Sequence, residues 1–160
     1  MQIDGYTVVF CGILIRTLLA ILFLAFWLKD RRATWFAWWS ATFLLGDLVA
    51  LFYLRSEFAV ASPASGFMVA ALIAGSACCW QGARVFEGRA PFWLPVLGLP
   101  ALWLLACLIP GFIENLSYRV VLSSLLLAPL LAMTAFEFRR GRQVNREASA
   151  TTGTASTGTA

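Results

Sequence analysis

Two charges stand inside otherwise apolar runs: Arg16 in GILIRTLLA and Asp47 in FLLGDLVAL. An arginine at the middle of a helix in hydrocarbon costs roughly 2.5–3.5 kcal/mol on insertion scales, so it needs a partner or water. The charged turn Lys29-Asp30-Arg31-Arg32 separates the two runs. Arg16 lies about 14 residues before its centre and Asp47 about 16 after, so at 1.5 Å per residue their depths differ by only about 3 Å. If the two helix faces meet, the side chains form an interhelical ion pair. Such a pair either fixes helix register or belongs to a ligand-sensing or ion-conducting site, and both readings stay open. Small residues flank each charge, Gly12 and Ala20 around Arg16 and Gly46 and Ala50 beside Asp47, which favours close approach.

Other chemistry is sparse. The chain contains no histidine, which removes the commonest metal ligand and the usual general base. Cys11, Cys78, Cys79 and Cys107 all sit in apolar runs and read as small packing residues, not ligands or redox centres. No phosphate-binding loop, nucleophile elbow or dinucleotide fingerprint occurs. No metal, cofactor or catalytic residue is expected, and the chain reads as non-enzymatic.

The elements that would position Arg16 and Asp47 follow from composition. Of 160 residues 61% are hydrophobic and only 12% charged, against roughly 25% charged in ordinary soluble domains. The apolar residues form long blocks, and a hydrocarbon layer about 30 Å thick takes roughly 20 of them per helix. Helices suit that medium because each satisfies its own backbone. The expected fold is all-α, an integral membrane bundle of about five transmembrane helices. The spans fall at about 6–28, 33–54, 67–86, 91–109 and 120–138, within a membrane domain covering 1–142. FAVASPASG and GFIENLSYR read as loops. The first span is not read as a cleavable signal, because its positive charges follow it. Residues 143–160, ending in ASATTGTASTGTA, are small and polar and read as a disordered cytoplasmic tail.

Charge sets the orientation. Lys29, Arg31, Arg32, Arg84, Arg89, Arg139, Arg140, Arg142 and Arg146 fall on one side of such a bundle, and only Arg55 and Arg119 on the other. By the positive-inside rule the amino terminus lies outside and the carboxyl terminus inside. Trp27, Trp35, Trp38, Trp39 and Trp93 gather near the same inner boundary, as an interfacial aromatic belt does. The net charge of +4 is thereby explained without nucleic acid, and the lipid bilayer is the expected partner.

Within the third span Ala70, Ala74, Cys78 and Gly82 recur every four residues, with Ala71, Gly75 and Cys79 beside them. This row predicts close helix packing, either inside the bundle or across a homodimer. Pro95, Pro100 and Pro129 fall inside the last two spans and predict kinks. Asn115-Leu116-Ser117 matches a glycosylation sequon on the outer side.

The stretches FAWWSATFLLGDLVALFYLRSEF, CCWQGARVFEGRAPFW and LLAMTAFEFRRGR resemble the amino-terminal membrane region of bacterial diguanylate cyclases of the GGDEF family. The most specific piece is Trp80, Gly82, Arg84, Phe86, Gly88 and Arg89, and the resemblance covers roughly residues 6–142. It implies a multi-pass protein of the bacterial cytoplasmic membrane that senses or anchors, working with a cytoplasmic or membrane signalling partner. No GGDEF sequence is present in the chain, so the family's cyclase activity does not carry over. A small transporter or channel subunit, or a structural scaffold, stands as the alternative.

Overall fold

The computed structural model describes residues 5–55 and 63–155, and among them the chain is helical, with no strand. The helices are α1 (Gly5–Lys29), α2 (Trp35–Arg55), α3 (Pro63–Phe86), α4 (Trp93–Cys107) and α5 (Leu116–Ala155). α1, α2, α3 and α5 are long and apolar enough to cross a membrane, and α4 is a shorter apolar helix. The set fits a multi-pass membrane protein.

α3 is the hub. It packs against α2, α4 and α5, whereas among the described residues α1 packs only against α2. Consecutive helices run antiparallel. Phe23 of α1 meets Phe36, Trp39 and Phe43 of α2, and Trp35 of α2 meets Phe86 at the far end of α3. α4 lies along α3 from Gln81, which binds the backbone of Phe92, to Gly66, whose carbonyl accepts from Trp103 Nε1 at 2.9 Å. Residues 30–34, residues 87–92 and the stretch of α5 from Glu137 onward therefore gather at one end. That end holds all nine of the basic residues assigned above to a single side.

α3 uses its small residues on two faces. Ala70, Ile73 and Ala77 are buried against Trp103 of α4 and Leu126 and Leu130 of α5. Gly75 and Gly82 face α2: an added Cβ at Gly75 would stand 3.5 Å from Leu45 Cβ, and one at Gly82 would overlap the Trp39 indole. The row Ala70, Ala74, Cys78, Gly82 is thus not one interface. Each four-residue step turns about 40° around the helix, so the row starts on the α4–α5 side and ends on the α2 side. Both sides are contacts inside the bundle.

Four of the boundaries that differ from the sequence reading have a local cause. α3 begins at Pro63, inside the expected loop, because proline suits the first helical position, where its missing N–H costs nothing; residues 58–62 of that loop lie outside the described residues. α4 begins at Trp93, not Pro91, because Phe92 is held extended (φ −120°, ψ 98°) by both polar atoms of the Gln81 amide. Pro95 then falls in the first turn of α4, where no helical hydrogen bond is lost; Pro100 and Pro129 lie inside α4 and α5. α5 begins at Leu116, because Asn115 Oδ1 accepts from the backbone N–H groups of Ser117 (3.1 Å) and Tyr118 (3.4 Å). The residue read as a glycosylation acceptor serves as an N-cap. Finally, α5 continues to Ala155, through most of the segment expected to be disordered. No proline follows Pro129, and RRGRQVNREASA is rich in good helix formers. Residues 156–160 lie outside the described residues.

Replacing Gly82 by leucine forces Trp39 out of its place and should lower stability by about 1–3 kcal/mol. Denaturant unfolding in detergent measures it. A variant as stable as the parent would show that α2 and α3 do not touch there.

Candidate functional site

Arg16 and Asp47 meet across α1 and α2. Arg16 Nε lies 3.2 Å from Asp47 Oδ1, with the arginine side chain 37% exposed and the aspartate 8%. Neither atom makes a well-aligned hydrogen bond, so the contact is charge to charge. The second carboxylate oxygen accepts from Thr17 Oγ1 at 2.7 Å. Asp47 is buried and doubly engaged, while the tip of Arg16 faces outward. Backbone glycines make room for it: an added Cβ at Gly12 or Gly46 would stand 3.9 Å from Nη2 or 3.8 Å from Nη1. Those are ordinary contacts, so alanine would fit and a larger side chain would crowd the guanidinium.

A groove of about 470 Å³ opens beside the pair, lined by Val8, Val9, Gly12, Ile15, Arg16, Gly46, Val49 and Ala50. One cation in an apolar groove can hold a hydrogen-bond acceptor or steady a helix pair. Below the site Ser40 Oγ donates to the Ala20 carbonyl at 2.9 Å, a second tie that fixes α1 against α2.

The stretch from Trp80 to Arg89 ends α3 and docks it. Arg84 lies over the Trp80 ring, 4.9 Å from its centroid, and donates to the Ala90 carbonyl at 3.3 Å. Phe86 meets Trp35 edge-on and lies beside Trp39. Gly88 takes φ +76°, a left-handed conformation that favours glycine. The Gly88 N–H then bonds Val85 and the Arg89 N–H bonds Arg84, which together make a Schellman helix end. The turn delivers Arg89 to α5, where its Nη1 lies 3.0 Å from Glu137 Oε1.

That second pair was missed in the sequence, since Glu137 stands next to basic residues of its own helix and gives no hint of a partner on α3. Glu137 is buried, and its Oε2 has no hydrogen-bond partner among the described residues. Cys11, Cys78, Cys79 and Cys107 are free thiols, Cys11 exposed and Cys78 buried. No group of three or more potential metal ligands occurs among the described residues.

Comparison with protein-family models, with curated proteins and with solved structures finds no match.

Asp47→Ala should destabilise the bundle more than the double change Arg16→Leu with Asp47→Leu, because losing one partner strands the other charge. A fully buried pair would lose about 3–5 kcal/mol; the partial exposure of Arg16 brings the expected loss to about 1–2 kcal/mol. A double-mutant cycle in detergent or nanodiscs measures the coupling. Additive single-variant effects would show that the pair contributes nothing to stability.

Proposed function

We propose that the chain is a non-enzymatic sensory or regulatory membrane domain, crossing a bacterial cytoplasmic membrane five times with its amino terminus outside. The observation that carries this reading is α5. It packs on the hub helix α3, is tied to it through Arg89–Glu137, and runs on as one helix past the basic end of the bundle to Ala155. A continuous helix rooted in a bundle transmits rotation or tilt to whatever it meets beyond the membrane. Two arrangements of the bundle differing by a few kcal/mol are enough for a ligand to bias. The half-exposed Arg16 and its groove supply a place for such a bias to act. The resemblance of Trp80, Gly82, Arg84, Phe86, Gly88 and Arg89 to diguanylate cyclase membrane regions supports the same role, as an input to a signalling partner.

The transporter reading draws on the same mid-helix charge. It is less well supported, because the Arg16 groove lies on the outside of a two-helix contact and not on a path between several helices, where transporter sites are built.

Orientation is tested by reporter fusions at both termini, with the amino terminus expected outside and the carboxyl terminus inside. Both ends in one compartment would exclude an odd number of spans. The sensory role is tested by fusing a cytoplasmic reporter domain after α5 and inserting one to four alanines following Arg142. Each inserted residue turns the fused domain by about 100°, so its output should oscillate with a period of about 3.6 residues. Output indifferent to insertion would reduce the domain to an anchor. No cyclic-di-GMP should form from GTP with the purified chain, and its synthesis would overturn the non-enzymatic reading.

A further inference from the structure

A cavity of about 750 Å³ opens at the basic end of the bundle, between the end of α3 and α5. It is lined by Phe86, Glu87, Ala135, Phe138, Arg139, Gly141 and Arg142. Arg139 and Arg142 stand three residues apart on α5, hence on one face of it. Arg16 and Arg89 have carboxylate partners; Arg139 and Arg142 form no ion pair with a described residue. Phe86 and Phe138 are exposed and wall the cavity on its apolar side. Trp38 and Trp93, packed with centroids 4.9 Å apart, lie at the same end. There the aromatic belt meets the basic residues, as at a membrane–water boundary.

From this arrangement we infer that the α3–α5 cavity binds the headgroup of an anionic phospholipid. Arg139 and Arg142 hold the phosphate, and Phe86 and Phe138 lie against the upper acyl chain. The inference rests on the membrane reading. Two features select this ligand over a soluble phosphate. The cations sit at the level where lipid phosphates are concentrated, and the cavity joins them to exposed aromatic surface that a soluble anion leaves bare. Basic pockets between helices on the cytoplasmic side suit anionic headgroups for the same reason. Glu87 opposes binding. Its carboxylate packs against Gly141, where any side chain would displace it, and it offsets part of the arginine charge. Removing that charge should therefore tighten the site, an effect opposite to that of removing either arginine.

The test uses the full chain, first shown to stay in membranes through alkaline carbonate extraction, so that failure of the membrane reading is seen separately. The purified protein is loaded with phosphatidylglycerol or with phosphatidylcholine, and bound lipid is counted by native mass spectrometry. Retention of phosphatidylglycerol is expected, with affinity falling about tenfold or more in Arg139→Gln with Arg142→Gln and rising in Glu87→Gln. Arg31→Gln with Arg32→Gln, an equal charge loss at the same end, should leave the bound lipid in place. Equal losses in both double variants would mean diffuse attraction and overturn the site. So would equal retention of phosphatidylcholine, or unchanged binding in the Arg139/Arg142 variant. Displacement of the lipid by millimolar inorganic phosphate would make it a soluble-anion site instead.

Discussion

Helices in hydrocarbon gain little by hiding apolar surface from one another, since lipid tails are as apolar as leucine. Association then depends on close contact and on polar ties. In a chain that fits a multi-pass membrane protein, that requirement would fall on α3, which meets three other helices. It manages this by carrying small residues on two faces. Gly75 and Gly82 admit Leu45 and the Trp39 ring on one side, and Ala70 and Ala77 admit Trp103 on the other. With a bulky residue at either set, one neighbour would stand off, and the polar ties that depend on contact would open with it.

Those ties explain why the helices hold one register. Ser40 reaches the carbonyl of Ala20 on α1, and Thr42 reaches that of Gly75 on α3 at 3.2 Å. Trp103 reaches Gly66, and Gln81 engages both backbone groups of Phe92. Each polar side chain buried between helices would be costly without a partner. The Gln81 tie is the most register-specific, because both of its partners lie on the one extended residue Phe92, and sliding α3 by one turn would leave both amide atoms without them.

The helices were legible because long apolar blocks broken by charged turns admit little else. Arg16 and Asp47 were legible as neighbours because a short turn between two helices converts sequence distance into depth. The same arithmetic fails for Arg89 and Glu137. They are 48 residues apart, and their meeting depends on α5 running parallel to α3, a topology that no local pattern encodes. The four-residue row in α3 announces close packing, and the 40° drift per step divides that packing between two faces, a division the row alone does not show. Asn115 was read for its sequon, yet its side chain is engaged with the start of α5. The tail was read from its final residues, where threonine and glycine are dense, while the arginine, glutamine and glutamate before them favour a helix.

The two ion pairs sit at opposite ends of one mechanical chain. Among the described residues α1 touches only α2, α2 touches α3, and α3 carries α5. A change at the Arg16 groove would therefore reach the extended end of α5 through the α2–α3 contacts, Leu45 and Thr42 at Gly75, Trp39 at Gly82 and Trp35 at Phe86, and through the α3 hub. Arg89–Glu137 lies on the last step, where the Schellman turn after Phe86 fixes the arginine and α5 fixes the carboxylate. A rigid hub suits this arrangement. If α3 deformed locally, a shift of α1 and α2 would be absorbed within it. With backbone-close contacts on both faces, α3 would move as a body, and α5 would have to follow or break the Arg89–Glu137 tie. On the proposed reading, the stretch from Trp80 to Arg89 would be the joint between α1 and α2 on one side and the long helix α5 on the other.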